Sequence, residues 1–175
     1  MSASASVIGN AGPLMVLAKL NLLHLLKELY GYVHIVRSVY DEVVIEGMRR
    51  GHEDARTLYL FLNQMGWNPD DLDPAAIPAD LREIHLDRGE RDTLALAIAL
   101  GGALVLMDET AGRKAARARG LTVRGSLGIL IEAHRRGLIE ADQLRLYFAE
   151  IARRQDIWIS QALVERLLQE VLGDC

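Results

Sequence analysis

The sequence predicts an α/β fold, a parallel sheet with helices over both faces, on three observations. Short apolar or β-branched runs alternate with helical patterns along the chain. The run Leu104–Met107 is apolar at every position, as a strand buried on two sides requires. Hydrophobic residues make up 50% of the chain, enough for such a core. With 175 residues the chain is expected to be one domain, since domains usually hold roughly 100–200 residues.

Taken in order, Val7–Asn10 is a short apolar strand ending on a polar residue, and Pro13 suits the first turn of the helix after it. LLHLLKELYG reads as a second helix, stopped by Gly31. Tyr32–Val36 (YVHIV) is short and β-branched, hence a strand. A helix is expected from near Ser38, capped by the Ser38 hydroxyl with Asp41 three residues on. EDARTLYLFLNQMG gives a helix ending at Gly66, and the proline-rich WNPDDLDPAAIP is the loop-rich middle. A helix over Glu90–Leu100, a strand over Ala103–Met107, a helix over Ala111–Arg119 and a strand over Leu121–Arg124 follow. Helices near Leu127–Arg136, Ala141–Arg153 and Gln161–Leu172 complete the chain. Residues 1–6 are expected to be disordered, and residues 140–175 to form a helical extension.

Composition removes several function classes. The formal net charge of −4 argues against a general nucleic-acid coat, though local basic patches remain open. Cys175 is the single cysteine, so no internal disulfide forms, it lies too near the terminus to trust as a nucleophile, and a reducing cytoplasm fits. The uncharged run Thr93–Met107 is shorter than the roughly 20 residues of a membrane span, and Gly101-Gly102 divides it into a helix and a strand. His24, His34, His52, His85 and His134 show no metal-ligand spacing, and there is no GxGxxG, P-loop or nucleophile elbow.

What remains is a set of acids. Asp108 and Glu109 end the strand Ala103–Met107, and Asn10 ends the first strand. Glu42 lies one turn into the helix after HIV, and Glu90 and Asp92 lie in the first turn of the helix before ALVLM. In parallel sheets, ligands bind beyond the carboxyl ends of the strands, where the strand order reverses. Oxygen donors gathered there suit Mg²⁺ or Mn²⁺, which activate water for attack on a phosphodiester. Each residue also has a structural account. Asp108 could cap the next helix, Glu90 and Asp92 could complement a helix dipole, and Glu42 could be an exposed helix residue.

VIGNAGPLMVLAKL, VHIVRSVYDEVV, the block from Arg88 to Ile139 and WISQALVERLLQEVL resemble an uncharacterised prokaryotic subfamily of PIN domains. The resemblance runs from Val7 to about Leu172. It implies a three-layer α/β/α fold, Mg²⁺ or Mn²⁺ held by clustered acids, and ribonuclease activity, often as the toxin of a toxin–antitoxin pair. Carried over residue by residue, the first acid falls at Asn10, the second at Glu42 and the third at Asp92, with Glu90 sharing the work. The fourth falls at Asp108 or Glu109, and Ser126 becomes a polar helper unless it merely caps its helix. Asn10 departs from the family's aspartate, so the alternative is a degenerate module that binds RNA or a protein partner without cutting.

Phosphate contacts are expected from Arg113, Lys114 and Arg117, because Arg113 and Arg117 share a helix face with Lys114 at its border. The expected partners are RNA, an antitoxin protein and a second copy of the chain, with no membrane. The leucine-rich PLMVLAKLNLLHLLKELY and the amphipathic final helix are the candidate interfaces, although core burial accounts for most of those leucines.

Overall fold

The computed structural model describes residues 5–173. The expected disorder of residues 1–6 falls mainly on residues 1–4, outside the described residues, as does Cys175. Ser6 already belongs to a strand. The chain forms two compact units, one ending at Gly125 and the other beginning at Ser126. The C-terminal helical part therefore starts before residue 140.

The first unit is built on three parallel strands in the order β1 (Ser6–Gly9), β2 (Ala103–Leu106), β3 (Thr122–Arg124). Gly9 pairs with Leu106, and Leu106 in turn with Arg124. Successive strand residues point to opposite faces, and Val7 and Ile8 are both buried, as are Val105 and Leu106. Both faces of the sheet are therefore covered, which is the three-layer α/β/α arrangement.

Helices fill the connections. α1 (Ala11–Lys19) and α2 (His24–Tyr30) follow β1, and Gly31 ends α2 at φ 73°, a left-handed conformation that favours glycine. The leucines of this segment are mostly core: Leu14, Leu17, Leu22, Leu23, Leu25, Leu26 and Leu29 are all buried. The expected strand Tyr32–Val36 is reduced to single bridges, Ile8 with His34 and Val36 with Asp70. Each neighbour reaches it at one point only, so no ladder extends. His34 still lies on the edge of β1 opposite β2, and the lateral order is 33–36, β1, β2, β3.

The helix expected from Ser38 also differs. α3 (Arg37–Tyr40) passes into a π-helix (Asp41–Glu46) and then α4 (Gly47–Arg49). Val36 occupies the cap position without a side-chain bond, and the buried Ser38 hydroxyl has no hydrogen-bond partner among the described residues. Ser38 and Asp41 therefore do not cap this helix. α5 (Glu53–Met65) ends at Gly66 as expected. A 3-10 turn (Pro74–Ala76) and the short α6 (Ala79–Glu83) occupy the loop-rich middle.

α7 (Arg88–Ala99), the Gly101-Gly102 turn and β2 account for the uncharged run, and among the described residues no helix is long and apolar enough to cross a membrane. α8 (Thr110–Ala118) has Glu109, not Asp108, at its cap position. The second unit consists of α9 (Ser126–Arg135), α10 (Ala141–Arg153) and α11 (Gln161–Leu172), with Leu130, Leu144, Phe148, Ile151 and Val164 buried.

Leu106 is fully buried beside the polar end of β2. Leu106→Ala is expected to destabilise the chain by roughly 2–5 kcal/mol, seen as a lower denaturation midpoint with an unchanged m-value.

Candidate active site

The chain leaves β1 toward segment 33–36 on one side and later returns to β2 on the other. The strand order therefore reverses between β1 and β2, the point of an open parallel sheet beyond whose carboxyl ends ligands bind. Asn10 follows β1 and occupies the N-cap position of α1 without a side-chain bond to it, its backbone N–H donating to the Leu106 carbonyl at 2.9 Å. Asp108 and Glu109 follow β2, and the π-helix after segment 33–36 carries Glu42.

Glu90 arrives by a fourth route. Asp87 caps α7, its Oδ1 accepting from the Glu90 N–H at 2.8 Å, while Glu90 Oε2 accepts from the Asp87 N–H at 2.9 Å. This capping box fixes the Glu90 side chain at the helix start.

Glu42, Glu90 and Glu109 share one electrostatic environment. The carboxyl pKa of each is raised, first by burial and then by the other acids. Asp87, Glu109 and Glu90 act on Glu42, and Asp87 and Glu109 act on Glu90, where the bond from the Asp87 backbone opposes the rise. Asp108 and Asp87 act on Glu109, where a hydrogen bond from its own backbone and, less, the bond from Asn10 oppose the rise. Glu42 and Glu109 are exposed as whole residues; the crowding is at their carboxyl ends.

Glycines let these carboxyls approach the backbone. A methyl group at Gly12 would lie 3.2 Å from Glu109 Oε1 and 3.1 Å from Asp108 Oδ2. At Gly89 it would lie 3.2 Å from Glu42 Oε2; at Gly112 it would collide with Met107 Sδ, while Glu90 Oε1 would be at ordinary contact distance, 3.4 Å.

Asn10 is 2% exposed, and both ends of its amide are engaged. Thr93 Oγ1 donates to Asn10 Oδ1 at 3.3 Å, and Asn10 Nδ2 donates to Glu109 Oε2 at 3.4 Å. Asp108 lies near Arg113, whose Nη1 donates to the Met107 carbonyl at 3.0 Å. A methyl group at Gly125 would meet both Arg113 Nη1 and Asp108 Oδ1 at 2.8 Å. Burial and the Arg117 charge lower the Arg113 pKa, and Asp108 opposes them.

Asp92 does not join the three glutamates. It is buried, its partners are Arg88 at 3.6 Å and Arg91 at 3.5 Å, and its Oδ1 accepts no hydrogen bond among the described residues. The reason is helical geometry: positions two apart, such as 90 and 92, point to different sides. Lys114 and Arg117 are exposed, whereas Arg119 is committed to Asp80 and Arg124 to the Tyr30 hydroxyl. Ser126 is fully buried at the start of the second unit. Asp87 is the site residue the sequence reading missed, and the signal was present: an acid three residues before Glu90 is a capping box.

A carboxyl whose pKa is higher in the folded than in the unfolded chain binds its proton more tightly when folded. Its stabilising contribution is complete below the unfolded value, near 4.5, and is lost as pH rises through the raised one. With ions chelated, Glu42→Gln is expected to melt higher than the parent at pH 7. The rise should be roughly 1–2 °C, what a screened interaction of about 0.5 kcal/mol gives a chain of this size. The difference should close below pH 4.5, as a pair of melting curves would show.

The donor set is all oxygen, which suits a hard cation. Among the described residues none of Glu42, Glu90 and Glu109 is bonded to a basic side chain, so their mutual repulsion is not offset by an ion pair. Nor does any group of three His, Cys, Asp or Glu among the described residues stand ready to hold an ion. The acids fit such an ion by chemistry and by the neighbourhood they share.

No match was found among curated proteins or among solved structures. A family model described as a PIN domain (DUF3368) matches residues 6–172, from the first residue of β1 to the last of α11. With that match over nearly its whole length, the chain belongs to the PIN-domain family.

Proposed function

We propose that this chain is a metal-dependent ribonuclease, with Mg²⁺ or Mn²⁺ held by Glu42, Glu90 and Glu109. The observation that carries this reading is the gathering of three carboxyls from three separate elements near the strand-order reversal, each with its pKa raised first by burial and then by nearby acids. A structural role would not concentrate like charges there. A divalent ion bound to them would act as a Lewis acid toward water and the leaving oxygen of a phosphodiester.

The chain's own residues supply the rest. Glu90 presents Oε1, since its Oε2 is committed to the capping box. Carboxyls of raised pKa are better bases toward the proton of an attacking water. Arg113, Lys114 and Arg117 on α8 hold the RNA phosphates, with Arg113 fixed by the Met107 carbonyl beside the acids. Asp108 balances the Arg113 charge, and Asp92 has no place in the ligand set. The toxin role, an antitoxin protein as partner, a cytoplasmic location and a homodimer belong to the same proposal. A light-scattering mass of the monomer at micromolar concentration would remove the homodimer from it.

The neutral Asn10 favours one other reading, a module that binds RNA without cutting it. Cleavage of a single-stranded RNA with Mn²⁺ separates the two. The wild type is expected to cut, and Glu90→Gln to lower kcat at least about a hundredfold, a loss of ~2.7 kcal/mol from the transition state. Asp92→Asn should stay within about threefold of wild type, under ~0.7 kcal/mol. Equal losses in both variants would return Asp92 to the site, and RNA binding with no cutting would favour the second reading. Mn²⁺ at about 100 times its Kd should also add ~2.7 kcal/mol of stability, read as a higher Tm that Glu90→Gln abolishes.

A further inference from the structure

We propose that Asn10 is a positioning residue that holds Glu109 in place, and not a metal ligand; its bearing on an ion rests on the reading above. Asn10 is a departure only if its task is to contribute charge. Its environment assigns it another task. The side chain is buried, and neither end of the amide is idle. Oδ1 receives the hydroxyl proton of Thr93, itself fully buried, and Nδ2 donates to Glu109 Oε2.

The orientation of the amide follows from its neighbours. A carboxylate only accepts, whereas a hydroxyl can donate or accept. Turning the amide over would set Oδ1 against Glu109 Oε2, two acceptors with no proton between them. Glu109 therefore selects the orientation, and Thr93 completes it. The backbone of Asn10 is fixed as well, through its N–H to the Leu106 carbonyl at the end of the strand that leads to Glu109.

The result is a short brace across the end of the sheet. It engages Glu109 Oε2 and leaves Oε1, the oxygen nearest Gly12, on the other side. An aspartate at position 10 would set a second acceptor against Glu109 and lose the bond. In this chain the asparagine matches a glutamate at 109, and a neutral first position is part of the design of the site.

The first test needs neither metal nor RNA. In the metal-free protein, the side-chain NH₂ protons of Asn10 should exchange slowly by NMR. Glu109→Leu or Thr93→Val should speed that exchange by about tenfold, the effect of losing one hydrogen bond, while Thr93→Ser, which keeps the hydroxyl, should not. Fast exchange in the wild type, or exchange indifferent to Glu109→Leu, would overturn the proposal.

The second test reads the ion. Thr93→Val should weaken Mn²⁺ binding, measured by titration calorimetry, by about tenfold, with Thr93→Ser restoring it. If Asn10 were itself a ligand, releasing Oδ1 from Thr93 would leave binding unchanged or tighten it, and that outcome would also overturn the proposal. A protein that binds no Mn²⁺ yet shows the protected, Glu109-dependent amide would remove the metal reading and keep the brace.

Discussion

The parallel pairing of β1 with β2 sets Gly9 beside Leu106, and the positions of the acids follow from it. Parallel strands deliver their carboxyl ends to one side of the sheet, so what comes after Gly9 and what comes after Leu106 must meet. Asn10 and Glu109 do meet, through a side-chain bond across 99 residues of sequence. Because segment 33–36 flanks β1 on the other edge, the π-helix that carries Glu42 starts from the same end. α7 returns antiparallel to β2 and brings Glu90 there in its first turn.

Such an arrangement gathers like charges, and the fold softens the cost in two ways. Glu90 and Glu109 sit at the starts of α7 and α8, where the partial positive charge of the helix end favours a carboxylate. Specific bonds from the Asp87 backbone to Glu90 and from Asn10 to Glu109 favour the charged forms in the same sense. Burial and mutual repulsion outweigh both, since all three pKa values remain raised. These carboxyls therefore hold their protons more tightly than free glutamates do, while the apolar core around Ile8 and Leu106 supplies the stability that tolerates their crowding.

The sheet was legible in the sequence because two-sided burial writes itself as consecutive apolar residues, and VIG and ALVL kept that pattern. YVHIV has the same β-branched look, yet strand formation depends on neighbours that a local pattern does not contain. The resemblance put the third acid at Asp92, with Glu90 sharing the work, although the relation of the two was open to a sequence argument. Two acids in one turn look equivalent along the chain, but their directions on a helix differ, and Asp87 had already marked which one was tied to the helix start. The pairing of Asn10 with Thr93 and Glu109 was not legible at all, because three distant segments make it. Nor was the π-helix, since its wider turn leaves no residue type that announces it.

That wider turn has a consequence for how the chain tolerates insertions and deletions. A π-turn holds one more residue between bonded groups than an α-turn. Removing one residue from 41–46 could let the segment close as an ordinary α-helix with its hydrogen bonds intact. The helix would survive, but everything after the deletion would rotate about its axis relative to everything before it. Glu42 faces Gly89 from one end of this segment, and Gly47 packs on Ala55 of α5 from the other, so both could not keep their places. Segment length here is a determinant of the site in its own right, and a relative one residue shorter would carry the same acids with a different aim.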